Sequence, residues 1–131
     1  LLGEPAAFEV VDAGAPVALQ QTRTLRWHVR ASTRLSGFAC APRLELDDRE
    51  VVDAWVERTH WSHVLVRLAA PVPVRAGDAV ELTVRADLRH FPTVHVFQAA
   101  LLRKAPAAGK KAGAQGGLRR RPLGCVEARL S

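Results

Sequence analysis

Apolar and polar residues alternate along short segments of the chain, which is the pattern of β-strands with one buried face. Over residues 24–31 the apolar positions include Leu25, Trp27 and Val29, and the positions between them hold arginine or histidine. Residues 79–88 repeat the alternation, with valine, leucine and alanine on one face. A period of two residues is what a sheet with one side in the core requires, so both segments are predicted strands.

The rest of residues 1–102 has the same character. Four more segments have the apolar pattern of strands: residues 8–11, 63–68, 72–74 and 94–102. The first and the last of these are expected to be outer strands. Residues 75–78 predict a turn in which Gly77 can take a positive φ, and Gly37 interrupts a strand pattern and predicts a bulge or corner. Helical periodicity is not sustained, and residues 50–57 suit one helical turn or a strand. The expected fold class is all-β, an antiparallel β-barrel or sandwich of short strands.

The charge of the chain changes abruptly near residue 102. The chain has 131 residues and a net charge of +6. Residues 1–102 carry 11 arginines against 12 acidic residues, whereas residues 103–131 carry 8 basic residues against Glu127 alone. Glycines also concentrate in the second part. We therefore predict a folded β-domain at residues 1–102 and a basic tail at residues 103–131, rich in Gly, Ala, Lys and Arg and disordered.

Several classes of protein are excluded by composition. No segment approaches the roughly 20 consecutive apolar residues of a membrane-spanning helix. Two cysteines, Cys40 and Cys125, are too few for a disulfide scaffold or a zinc site made of cysteines alone. The first residues lack the basic and apolar segments of a signal peptide. The chain begins with Leu1 and not with Met, so we expect it to be a fragment of a longer protein.

The residues that could carry chemistry form weak patterns by themselves. His60 and His63 are three residues apart, which places them on opposite faces of a strand, and no nearby cysteine offers a third ligand, so a metal site is not expected. The serines lack the sharp turn and the adjacent base of a hydrolase nucleophile. Six acidic residues cluster between the predicted strands: Glu45, Asp47, Asp48, Glu50, Asp53 and Glu57. They form either a solvated loop or an attractor for a cationic partner.

One series of motifs carries a resemblance to a known family. Thr59, His60 and Trp61 precede the apolar segment at residues 63–68, and a Pro/Val segment and a Gly-Asp turn at residues 77–78 follow. This series resembles the C-terminal β-barrel domain of the protein arginine N-methyltransferases. In that family a Thr-His-Trp loop precedes a strand, a Pro/Val segment and a Gly-acidic turn.

The resemblance covers roughly residues 1–102 and implies a function. Enzymes of this family bind S-adenosylmethionine in an N-terminal nucleotide-binding domain, where two glutamates clamp the substrate guanidinium. By match, His60 would have a supporting catalytic role near those carboxylates, and Thr59 and Trp61 would line the substrate cleft. No glycine-rich cofactor motif and no double-glutamate loop occurs in the chain. We therefore expect no cofactor-binding residues and no metal ligands here, and catalysis that is incomplete without the missing domain.

The resemblance also implies partners and a location. These are the missing N-terminal nucleotide-binding domain, an arginine-rich protein substrate, a homodimer of the parent enzyme, no membrane, and a cytoplasmic location, or a nuclear one in a eukaryote. The alternative is a non-catalytic β-barrel interaction module whose basic tail binds nucleic acid non-specifically or an acidic partner. The substrate and the type of arginine methylation are not readable from the sequence.

Overall fold

The architecture is all-β, as expected. The computed structural model describes residues 1–61, 63–104 and 117–130. Within these ranges eight strands and no helix occur. The strands are β1 (Gln20–His28), β2 (Thr33–Cys40), β3 (Arg43–Glu45), β4 (Val51–Asp53), β5 (Val64–Val74), β6 (Ala79–Asp87), β7 (Thr93–Lys104) and β8 (Leu118–Leu130). Every strand pair is antiparallel, and this confirms the predicted fold class.

The strands form three sheets. The largest has four strands in the order β1-β6-β7-β8, and β2-β5 and β3-β4 are two-stranded ribbons. The sheets do not close into a barrel; the four-stranded sheet and the β2-β5 ribbon instead face each other as a sandwich. The core between them holds Leu82, Val84 and Phe97 from the large sheet with Cys40 and Val66 from the ribbon. Burial of these apolar side chains is the main force holding the two layers together.

A second group of buried residues extends the core toward the end of β7. Its members are Val29, Leu35, Val74, Val80 and Leu101. The turn at residues 75–78 lies beside this group, and Gly77 has φ +90°, as the sequence predicts for the turn. The turn is closed by the Asp78 amide, which donates to the Arg75 carbonyl at 3.0 Å.

The predicted irregularity at Gly37 is confirmed. The pairing of β2 with β5 shifts register between Leu35 and Gly37, so that Leu35 lies opposite Val72 and Gly37 opposite Arg67. A Cβ atom at position 37 would overlap the Val66 carbonyl oxygen of the neighbouring strand. Glycine is needed here because the two backbones approach each other closely.

The prediction of a disordered tail over residues 103–131 is wrong for its second half. Residues 118–130 form β8, which pairs with β7 along the whole strand. Leu123, Ala128 and Leu130 pack on the core, and this apolar contact is the reason that the segment is ordered. Residues 105–116 lie outside the described residues.

Strand β7 also differs from the sequence-based prediction, because it is a central strand and not an outer one. It lies between β6 and β8, and Ala99, Ala100, Leu101 and Leu102 are all buried. A run of consecutive buried apolar residues is typical of a strand that is covered on both faces.

Residues 8–11 were expected to form an outer strand, and they do not. They belong to an irregular N-terminal strap, residues 1–19, that lies against the large sheet. Trp27 Nε1 donates to the Glu4 carbonyl at 2.8 Å, and the Gln21 side chain both donates to the Val10 carbonyl and accepts from the Val10 amide. Side chains of the sheet therefore provide hydrogen-bond partners for backbone groups of the strap, in place of the backbone partners of a β-ladder.

Candidate functional site

The Thr59–His60–Trp61 segment lies in the connection from β4 to β5. The connection begins with a tight turn in which the amides of Val56 and Glu57 donate to the Asp53 carbonyl at 3.0 and 2.8 Å. The Asp53 carboxylate accepts the Trp55 amide at 2.8 Å. Aspartate is suited to such turns because its short side chain caps the backbone two residues on. The turn sends the chain away from the ribbon toward Thr59.

Thr59 and Trp61 close a second turn around His60. The Trp61 amide donates to Thr59 Oγ1 at 3.1 Å, and the Thr59 hydroxyl is 3.3 Å from the Trp61 carbonyl oxygen, to which it can donate. His60 is exposed, and the Trp61 side chain remains 49% exposed. The structure thus brings the three predicted site residues together on one surface turn. None of the three belongs to the core.

His63 anchors the base of this connection, a role that the sequence did not suggest. Its Nε2 atom donates to the Ala54 carbonyl oxygen over 2.6 Å, and its ring lies over Trp55 with centroids 4.9 Å apart. Ala54 is buried, so the contact ties the connection to the body of the protein. In the described ranges no group of three or more potential metal ligands occurs.

A shallow cavity lies beside the turn. Its volume is about 180 Å³, and its lining residues are Ala54, Glu57, Arg58, Thr59, Trp61 and His63. The acidic residue Glu57 and the aromatic residue Trp61 both line the cavity, together with the half-buried Thr59. A carboxylate next to an aromatic ring suits a cationic group, because the cation can pair with the carboxylate and is also attracted to the face of the ring. Arg58 also lines the cavity, so one positive and one negative side chain stand beside the tryptophan.

The six acidic residues of the sequence analysis lie along the β3-β4 ribbon, its connecting loop and its following turn, and Glu57 among them lines the cavity. Contacts within the ribbon neutralise or stabilise part of their negative charge. Glu45 forms an ion pair with Arg43 at 3.0 Å. The amides of Arg49 and Glu50 donate to Asp47, and these two bonds lower the pKa of its carboxyl. The β3-β4 ribbon thus has an acidic surface, and the hydrogen bonds to Asp47 fix the conformation of the loop between its two strands.

The Gly77-Asp78 turn has a structural function. Asp78 is buried and accepts two bonds from Arg103, at 3.0 Å from Nε and 2.7 Å from Nη2. It also accepts the Arg75 amide at 2.9 Å. The Arg103 guanidinium is the main reason that the pKa of Asp78 lies below its usual value. This carboxylate joins β6 to β7 at the end of the sandwich.

A second buried polar residue, His95, was missed by the sequence analysis. His95 Nε2 lies 2.6 Å from Glu9 Oε2 of the N-terminal strap, and Phe8 and Phe97 contact the imidazole ring. Its Nδ1 atom has no hydrogen-bond partner among the described residues. No local pattern could have revealed this pair, because the two residues are 86 positions apart.

No protein-family model and no curated protein matches the chain. Within the described residues there is no helix long and apolar enough to cross a membrane.

Proposed function

We propose that this chain is the substrate-cleft domain of an S-adenosylmethionine-dependent enzyme similar to the protein arginine N-methyltransferases. The observation that carries the proposal is the Thr59–His60–Trp61 turn, whose histidine and tryptophan point away from the core. The Trp61 side chain is 49% exposed, which leaves part of its indole ring free for contact with a second domain or a ligand.

The cavity beside the turn supports the choice of substrate class. Glu57, which has a carboxylate, and Trp61, which has an aromatic ring, line the same cavity. A guanidinium is planar, always charged and well matched to both groups. The acidic β3-β4 ribbon, which leads into the turn that carries Glu57, would increase the local concentration of an arginine-rich protein, and salt would weaken that attraction.

The cofactor of such an enzyme would bind outside the described residues. No strand, glycine-rich turn and helix follow one another in the described ranges, so these residues do not fit S-adenosylmethionine. In this proposal His60 is a positioning residue. A neutral imidazole at the rim of the cleft would donate a hydrogen bond to a guanidinium-clamping carboxylate of the missing domain and hold its rotamer.

The test is a methyl-transfer assay on the complete gene product with an arginine-rich peptide. His60→Ala should lower kcat about 100-fold with little change in KM, because small misplacements of reacting groups are costly. The melting temperature should not change, since His60 is exposed. His28→Ala, which removes another exposed histidine on β1, is the matched control and should keep full turnover. A complete gene product that transfers no methyl group to arginine, or a His60→Ala variant with normal kcat, would contradict the proposal.

A further inference from the structure

The end of the β7-β8 hairpin concentrates positive charge. Residues from both strands contribute, and we refer to them together as the basic hairpin end: Arg103, Lys104, Arg119, Arg120 and Arg121. The register places Arg119 directly opposite Arg103 and Arg121 opposite Leu101. Directly opposed residues of an antiparallel pair point to the same face of the sheet, so Arg103, Arg119 and Arg121 share one face.

Internal carboxylates neutralise only part of this charge. Asp78 binds Arg103, and Glu81 binds Arg120 at 3.3 Å while it also binds Arg26 at 2.7 Å. In the described ranges no ion pair involves Lys104, Arg119 or Arg121. The only acidic residue of β8 is Glu127, which lies opposite Val96 toward the other end of the hairpin.

Arg103 and Arg119 are like charges at directly opposed positions, and the Asp78 carboxylate that binds Arg103 offsets part of their repulsion. Like charges at directly opposed positions of a sheet repel each other. Arg119 and Arg121 are exposed on the edge strand, where a ligand can reach them. An anion bound across this face would relieve the repulsion and would meet guanidinium groups, which suit phosphate oxygens in particular.

We propose that the basic hairpin end binds the phosphate backbone of nucleic acid. Arg119 and Arg121 are two residues apart on a β-strand, a rise of about 6.7 Å. This is close to twice the spacing of about 3.4 Å, measured along the helix axis, between the charges of one DNA strand. A regularly charged polymer fits this spacing better than a single small anion. The five residues are all basic and contact phosphates in this proposal, so binding is independent of sequence. This inference goes beyond the proposed enzymatic function and does not depend on it.

The experiment measures fluorescence anisotropy of labelled 20-base-pair DNA duplexes of two unrelated sequences, with the full chain. Both sequences should bind equally. If Lys104, Arg119 and Arg121 each neutralise one phosphate, the slope of log K against log salt should be about −2.7. Arg119→Gln combined with Arg121→Gln should reduce the slope to about −0.9 and weaken binding about tenfold at low salt.

The matched control removes two other exposed arginines, Arg23 on β1 and Arg129 at the opposite end of β8. The Arg23→Gln and Arg129→Gln pair has the same net charge as the test variant and should retain the wild-type salt slope. Equal losses in both variants would show that binding follows net charge alone and would overturn the proposal. Absence of duplex binding at low salt, an unchanged affinity and salt slope in the test variant, or binding to phosphatidylserine vesicles in place of DNA would overturn it as well.

Discussion

Replacing Asp78 by alanine tests the bond that joins β6 to β7. Asp78 is only 4% exposed and accepts one backbone amide and two guanidinium N–H groups. Loss of the neutral bond costs about 1 kcal/mol, and loss of the charged bonds about 1.5–3 kcal/mol before any compensation. The Arg103 side chain is 39% exposed, so water can solvate part of its freed guanidinium. We therefore expect a net destabilisation of about 2–3 kcal/mol.

The measurement is thermal and urea unfolding of Asp78→Ala beside the wild type. A loss of this size corresponds to a fall in Tm of roughly 10 °C for a domain of this length. Asp78→Asn separates charge from shape, because its amide oxygen can still accept the Arg75 amide but no longer attracts Arg103. We expect Asp78→Asn to lie between the wild type and Asp78→Ala.

The pH dependence gives an independent check. The pKa of Asp78 is lowered in the folded protein, so its contribution to stability is complete above its unfolded value near 3.9 and is lost as pH falls through the folded value. The stability difference between the wild type and Asp78→Asn should therefore be constant from pH 7 to pH 5 and shrink in more acidic solution. A Tm within 2 °C of the wild type for Asp78→Ala, a shift far smaller than about 10 °C, would refute the reasoning. A difference that does not respond to acid would refute the role of charge.

Three more outcomes can be measured on the same chain. Cys125 is exposed and should react with a thiol reagent within minutes in native buffer. Cys40 should react only after unfolding, because burial raises the pKa of its thiol to about 11 and blocks access. Equal reaction rates of the two cysteines would contradict this. Truncation before residue 118 should lower Tm and broaden unfolding, since β8 covers one edge of β7 and part of the core; an unchanged Tm would show that β8 is dispensable. Trp61→Ala should cost at most about 1 kcal/mol by urea unfolding, because the side chain is half-exposed; a cost of about 3–5 kcal/mol would place it in a packed core.

The strands with a regular alternation and the glycine-marked bulge of β2 could be predicted from sequence, whereas the bulged strand β8 could not. Strands β1 and β6 have an uninterrupted period of two and lie within a few residues of their predicted bounds. In β8 the pairing shifts beside Ala99 and Ala100, so Leu123 and Ala128 both pack on the core although one position is odd and the other even. Because of this change of parity and of three consecutive arginines, the sequence pattern of β8 resembles a charged tail and not a strand. Local patterns cannot show such a shift, because it depends on the partner strand.

The candidate site was predicted only as a short motif. The sequence placed Thr59, His60 and Trp61 in one loop, but the exposure of Trp61 depends on how the turn leaves β4. The cavity with Glu57 depends on the same turn. The bond of Asp78 to Arg103 spans 25 positions. Ion pairs of this kind come from tertiary packing and leave no local signal in the sequence.

The N-terminal strap has a consequence for the way the molecule opens. Side-chain bonds to Glu4, Glu9 and Val10, and packing of Phe8, hold it on the large sheet. Strand β6, in contrast, is paired on both sides. Amide hydrogens of the strap can thus exchange with solvent through a local opening, while those of β6 must wait for the sheet to separate. A segment joined ahead of Leu1 could change its angle to the sandwich by releasing a few side-chain contacts, with no strand pair broken.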